Sequence, residues 1–199
     1  MLRLVVALCL LLLTVAPTVA GHSLRHAVAT TVVEMHGQSE ESGGRCSAVM
    51  VAPGRAFTAA HCVAMVPNPK VRINGVDYDV SEAYAVENAS DVAVLIAPGA
   101  PCPCAIIARV PAKVGDKVMS TGYPMRAALV VTYGEVQALE VTNPEDGNAY
   151  VMSTAPTVPG FSGGGVFNDQ GHLLGINSST GARGLLSLYG PVLSVFIGR

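Results

Sequence analysis

The chain has 199 residues, half of them hydrophobic and 13% charged, enough apolar surface for a sizeable core and too much for disorder as the main state. A formal net charge of −2 leaves no basic footprint for nucleic acid or for an anionic membrane surface. With 21 glycines, 13 prolines and no tryptophan, the punctuation favours short strands and many turns in one domain or two small lobes.

Residues 1–20 read as a secretory signal peptide: Arg3 is the positive start, Leu4 to Ala16 the apolar stretch, and Thr18-Val19-Ala20 the small-residue cleavage point. That stretch is 13 residues long, whereas a bilayer span needs about 20. Cys9 follows Leu8 and is not read as a lipidation site. Cleavage leaves residues 21–199, with no membrane segment and a secreted or periplasmic destination expected. His22, His26 and His36 are scattered, and no metal or other cofactor is expected from them. Export puts Cys46, Cys62, Cys102 and Cys104 in an oxidising compartment, where four cysteines allow three pairings.

Short β-branched runs predict strands over 28–35, 46–51, 55–58, 70–73, 77–83 and 92–96. A stretch with four prolines, 97–111, reads as the connection between two β lobes. Further strands are predicted over 117–121, 129–139, 150–154, 165–167 and 173–177. No glycine-rich turn opens a long amphipathic helix, which argues against a doubly wound nucleotide fold. Periodicity alone supports an all-β sandwich or barrel without choosing between them.

Three segments carry chemistry. In Phe57-Thr58-Ala59-Ala60-His61-Cys62, a strand ends in small residues that leave an imidazole exposed at its tip. In Ser90-Asp91-Val92-Ala93-Val94-Leu95, an acid opens an apolar strand; alone it reads as a turn residue or cap. Asp77 and Asp79 are rival acids in an alternating, exposed-looking stretch. In Pro159-Gly160-Phe161-Ser162-Gly163-Gly164-Gly165, four glycines surround one hydroxyl. Such a turn lets the backbone reach positive φ and lets two N–H groups converge beside a nucleophile.

Together, in the order His, Asp, Ser, these segments resemble the chymotrypsin-like (trypsin-fold) serine peptidases. The compact bacterial kind, including the protease domain of the HtrA (DegP-like) group, is the most similar. The stretch Ser162 to Asn177 is also similar to that group's run from the nucleophile to the substrate-binding strand. The resemblance implies an all-β fold of two six-stranded antiparallel barrels, about 28–97 and 112–197, with the active site in the cleft between them. It implies an exported serine endopeptidase acting on polypeptides through an acyl-enzyme. Ser162 would be the nucleophile, His61 the general base and Asp91 the group that orients it. The N–H groups of Gly160 and Ser162 would form the oxyanion hole, and Ile176, Asn177 and Ser178 would bind substrate. It also implies a Cys46–Cys62 disulfide beside the histidine. Cys102 and Cys104 are left to pair with each other, stay free or bond another chain.

The chain departs from the family at Phe161, where most members carry Asp or Asn. In zymogen-activated members an Asp there pairs with a freed N-terminal amine, so activation of that type is not expected. The positions that would line the S1 pocket, 155–158, 176–179 and 180–182, hold no carboxylate. That disfavours Lys or Arg at P1 and favours a small or medium apolar residue. No PDZ module is expected after Arg199, and the oligomeric state is not legible. Asn88-Ala89-Ser90 and Asn177-Ser178-Ser179 match the glycan acceptor pattern, and a glycan at Asn177 would sit on the substrate strand. The alternative reading is an inactive binding module in which Phe161 marks a collapsed oxyanion hole. An esterase elbow fits Gly160 to Gly164, but that fold places its histidine last, and here only His172 follows the serine.

Overall fold

The computed structural model describes residues 19–37, 44–125, 127–144, 146–180 and 186–193. Most of the expected signal peptide, residues 1–18, lies outside that set. Among the described residues no helix is long and apolar enough to cross a membrane. The first element is a helix, α1 (Val19–Thr31), so the strand expected from residue 28 starts only at β1 (Val32–His36). Leu24 and Val28 are one helical turn apart, and both pack against the Gly171 turn. That apolar pair, and Thr30 and Thr31 hydroxyls donating to the Ala27 and Val28 carbonyls at 2.8 Å, carry the helix past the expected boundary.

The N-terminal lobe is a seven-stranded antiparallel sheet. Its strands are β1, β2 (Arg45–Ala52), β3 (Arg55–Ala59), β4 (Lys70–Ile73), β5 (Val76–Asp79), β6 (Glu82–Ala85) and β7 (Val92–Ile96). Their order is β5-β4-β1-β2-β3-β7-β6. The single strand expected over 77–83 is therefore two strands, one at each edge of the sheet. Val80 and Ser81 join those edges, donating to the Pro69 and Ile96 carbonyls, and this short corner curls the sheet into a half-barrel. The β4–β5 hairpin turns on Asn74-Gly75, both at positive φ as a two-residue type I′ turn demands. The apolar run of β7 is buried along Val92–Leu95, flanked by β3 and β6.

The C-terminal lobe is a closed six-stranded antiparallel barrel ordered β10-β13-β12-β11-β8-β9. Its strands are β8 (Lys117–Gly122), β9 (Val130–Thr142), β10 (Ala149–Ser153), β11 (Gly165–Asn168), β12 (Leu173–Thr180) and β13 (Ser187–Pro191). Strand β13, broken in composition by Gly190 and Pro191, carries too short an apolar signal to be expected from sequence, yet it closes the barrel between β10 and β12. The all-β, two-lobed architecture expected from the sequence is present, with the C-terminal lobe closed and the N-terminal lobe a curled sheet. One core fills the N-terminal lobe and extends through Met119, Phe167, Leu173 and Ile176 to the seam, while a second, around Val136, Val166 and Tyr189, fills the barrel. The 97–111 stretch joins the lobes: Ala105 N–H donates to Met50 and Ala108 N–H to Leu173.

Candidate active site

His61 lies in the first turn of a short helix, α2 (Ala60–Met65), that follows directly from β3. A helix start leaves backbone N–H groups without partners. Asp91 supplies two of them: its main-chain carbonyl accepts from Ala60 N–H at 3.1 Å and its Oδ1 from His61 N–H at 2.9 Å. The second carboxylate oxygen, Oδ2, lies 2.7 Å from His61 Nδ1 and accepts the Ser178 hydroxyl at 2.5 Å. Asp91 holds this position at a φ of 54°, a left-handed conformation that Asp tolerates better than most residues. Burial pushes the Asp91 carboxyl up. The hydrogen bonds and charge of His61 and the hydroxyl of Ser178 outweigh burial and hold it below the ordinary carboxylate value. The rival acids are elsewhere: Asp77 pairs with Arg72 and His36, and Asp79 with Lys70.

Ser162 stands on the opposite wall, in the turn before β11. Its Oγ donates to the Ser178 carbonyl at 3.1 Å, so Ser178 touches both walls, through its hydroxyl and through its carbonyl. Among the described residues no hydrogen bond joins Ser162 to His61 in this resting arrangement. Gly163, at φ 83°, is obligatory here: a Cβ on it would lie 2.0 Å from the Ser47 carbonyl oxygen. Gly160, at φ 100°, passes as closely over the Tyr123 carbonyl, where a Cβ would come to 2.2 Å.

The backbone of this turn is oriented peptide by peptide. The Pro159 carbonyl accepts from Met125 N–H at 3.3 Å, and the Phe161 carbonyl from Gly164 N–H at 2.8 Å. In a trans peptide the N–H points away from the carbonyl, and among the described residues no cis bond is present. The N–H groups of Gly160 and Ser162 therefore face away from these contacts, and neither has an acceptor among the described residues. Phe161 is 2% exposed, with its ring and Cα seated on Gly122. The residue that replaces an acid in this turn is thus packed in the protein interior.

A cavity of about 300 Å³ opens beside Ser162, lined by Thr157, Val158, Phe161, Asn177, Ser178 and Ser179 among others. Among the described residues that line it there is no carboxylate. The Thr157 hydroxyl is buried without a hydrogen-bond partner among the described residues. Of the three residues expected to bind substrate, Asn177 and Ser178 line this cavity, while Ile176 is fully buried in the core. The Asn177 side chain is tied to Ser120 Oγ at 2.9 Å and to the Thr121 carbonyl at 3.0 Å and is 2% exposed, so it is closed to a glycan. Gly181 and Ala182, expected on the far side of the pocket, lie outside the described residues.

The Cys46 and Cys62 sulfurs lie at disulfide distance, as do those of Cys102 and Cys104, so of the pairings left open the structure brings these two together. Among the described residues one group of metal-ligating side chains comes together, Cys46, His61 and Cys62, and its two sulfurs are committed to the disulfide. Ser178, expected to bind substrate, also holds Asp91 through its hydroxyl and Ser162 through its carbonyl. One residue with important contacts escapes a reading of the sequence alone: Ser47, a lone hydroxyl in the buried run of β2. A fully buried polar side chain in an apolar strand is the signal that would have marked it.

A curled β sheet and a closed β barrel meet at a seam that carries an imidazole–carboxylate pair on one wall and a glycine-framed serine on the other: this is the class of two-lobed β proteins that work through their cleft. The chain belongs to the trypsin-like peptidase domain family, which matches residues 46–176. It is 31% identical over 149 residues to Protease Do-like 2, chloroplastic, of Arabidopsis thaliana, covering 65% of this chain and 23% of that one. It is 31% identical over 137 residues to a probable periplasmic serine endoprotease DegP-like of Ectopseudomonas mendocina, covering 68% and 29%. The chain thus spans between 23% and 29% of the length of these relatives. Among solved structures, the active form of the Rv3671c protease of M. tuberculosis superposes with a TM-score of 0.76 at 21% identity, covering 92% of this chain and 86% of that one. The serine endoprotease of Yersinia pestis gives 0.73 at 24% identity, covering 92% and 65%. At such identity these two likenesses speak to the fold.

Proposed function

We propose that the protein is a serine endopeptidase that cleaves polypeptides through Ser162, His61 and Asp91. The observation that carries this reading is the convergence on Ser162: a carboxylate-bound imidazole stands across the cleft, and the two N–H groups flanking Phe161 have no acceptor among the described residues. His61 Nδ1 is held by Asp91, which leaves Nε2 as the atom to take the Ser162 proton. The Ser162 hydroxyl, resting on the Ser178 carbonyl, turns to His61 as substrate enters; catalytic hydrogen bonds commonly tighten at that stage. Its oxygen then attacks the scissile carbonyl and forms an ester with the acyl half of the substrate. His61 passes the proton to the leaving amine, and water reverses the sequence. Asp91 stays ionised and stabilises the imidazolium. Gly160 and Ser162 N–H bind the oxyanion, each such donor being worth ~2.7–4 kcal/mol.

The cavity beside Ser162 is the S1 pocket in this reading. Its volume of about 300 Å³ and lack of a carboxylate suit a small or medium uncharged P1 side chain. The two disulfides and the leader-like residues 1–20 support action outside the reducing cytoplasm. The family relatives named as proteases support the peptide-bond substrate.

Labelling with a fluorophosphonate probe tests the assignment. The folded parent is expected to label and to hydrolyse a denatured protein, and the folded Ser162→Ala variant to do neither. A folded parent that does not label overturns the reading and favours the binding-module alternative, which the resting Ser162 to Ser178 hydrogen bond would then represent.

A further inference from the structure

Ser47 is fully buried in β2, on the N-terminal lobe, and uses every polar atom it has. Its N–H donates to the Ser162 carbonyl at 2.8 Å, and its carbonyl accepts the Thr58 hydroxyl at 2.8 Å. Its hydroxyl donates to the Gly160 carbonyl and accepts from Tyr123 N–H, both at 2.8 Å. Its hydroxyl thereby joins the nucleophile turn to the residue after β8, and its backbone carbonyl adds the strand that leads into the histidine segment.

We propose that Ser47 is the positioning residue of the oxyanion turn: its hydroxyl fixes the Gly160–Phe161 peptide so that the Gly160 N–H faces the reacting carbonyl. This rests on the reading of Ser162 as nucleophile. Gly160 sits at φ 100°, and glycine permits wide rotation at low cost. Released from Ser47, the neighbouring Pro159–Gly160 peptide can turn over, exchanging the Gly160 N–H for the Pro159 carbonyl at the oxyanion position. Among the described residues the Pro159–Gly160 peptide itself is held by the longer Met125 contact at 3.3 Å, while the Gly160–Phe161 peptide is held on its other side by Phe161 N–H, which donates to the Val158 carbonyl at 3.0 Å. Phe161 cannot form the ion pair that an acid would make in this turn, so a neutral hydroxyl from the other lobe takes over the restraint. Tyr123, the second partner of Ser47, directly follows Gly122, on which Phe161 is seated. The hydroxyl and the aromatic ring therefore brace the turn at adjacent points. The Cys46–Cys62 disulfide ties the neighbour of Ser47 to the neighbour of His61, coupling the brace to the base.

The test compares the parent with Ser47→Ala and Ser47→Thr in the full chain, by fluorophosphonate labelling rate and by kcat and KM on a peptide ester. The Ala variant keeps both backbone contacts and loses the hydroxyl. It is expected to fold, to lose about 10²-fold in kcat and labelling rate, the scale of an ångström-sized misplacement, and to keep the parent KM. The pH midpoint of kcat/KM should stay at the parent value, because His61 and Asp91 are untouched. The Thr variant retains the hydroxyl and should recover most of the rate. A folded Ala variant with parent kcat, or one whose loss lies in KM, overturns the proposal. Should the Ala variant not fold, amide exchange in the parent decides: a Tyr123 amide protected like the core supports the clamp, and one exchanging freely overturns it. A folded parent that does not label refutes the nucleophile assignment instead, which keeps the two failures distinct.

Discussion

On the N-terminal side of the cleft, Asp91 gathers the His61 ring, the His61 N–H and the Ser178 hydroxyl on two oxygens. On the C-terminal side the Ser162 turn contains no charged group and is held by peptide contacts, by the burial of Phe161 and by Ser47. One wall is organised by an ion and the other by shape. The ion makes its wall responsive to pH and to loss of a single charge. The shaped wall has no such handle, but tolerates almost no added volume, since a Cβ on Gly160, Gly163, Gly164 or Gly165 would lie between 2.0 and 2.4 Å from a neighbouring atom. Opposite kinds of substitution should therefore break the two walls.

The largest effect short of removing Ser162 is expected from Asp91→Asn. The amide retains shape and a hydrogen-bonding oxygen but leaves the imidazole in the wrong tautomer, and kcat should fall about 10⁴-fold with the fold intact. Stability should also change with pH in a stated direction. The folded Asp91 carboxyl lies below its ordinary value. Its contribution is thus present above the unfolded value of about 3.9 and is lost as pH falls through the folded one. Urea unfolding across the acid range should show a shallower pH dependence for Asp91→Asn than for the parent. Equal slopes would mean that the carboxylate does not organise its wall.

Gly122→Ala attacks the other wall. The new methyl would lie 2.5 Å from Phe161 Cα, so Phe161 or β8 must move. Overpacking of this kind typically costs about 1–3 kcal/mol. The midpoint of denaturant unfolding should drop by a corresponding amount, and the labelling rate of Ser162 should fall with an unchanged pH midpoint. A variant that loses stability yet labels at the parent rate would separate the seat of Phe161 from the oxyanion turn.

The same division governs what could be read from the sequence. The charged wall could be expected only from the segments taken together: His61 after a run of small residues is a weak signal by itself, and Asp91 at the head of an apolar strand reads alone as a turn residue with Asp77 and Asp79 as rivals. Ser162 stood out by its glycines. Ser47 and the seating of Phe161 on Gly122 did not, because the first depends on the meeting of the two lobes and the second on the closure of the C-terminal barrel. The Phe161 to Gly122 contact joins residues 39 positions apart, and the Ser47 to Gly160 bond spans 113. In the fold, strands with strong β-branched runs were legible. The 28–31 segment went to helix because tertiary packing of Leu24 and Val28 overrode strand-like composition. The break at Val80 and Ser81 followed from curling the sheet so that its two edges are joined by one short corner, a global requirement that no local pattern announces.

The two disulfides offer the mildest probe of the comparison. Cys46–Cys62 closes a sequence separation of 16 and Cys102–Cys104 one of 2. Chain entropy assigns about 3 kcal/mol to a 15-residue loop and about 1 kcal/mol to one of a few residues. Paired Cys→Ala substitutions should therefore lower the unfolding midpoint clearly for the first bridge and slightly for the second. Activity should diverge further than stability does. The first bridge links strand β2, which carries Ser47, to the helix that carries His61, so its loss loosens both walls at once. The second lies in the connection between lobes, touching neither. A Cys102/Cys104 double variant with reduced kcat would show that the linker sets the spacing of the walls, and the seam contacts of Ser47 would no longer suffice to explain their registry.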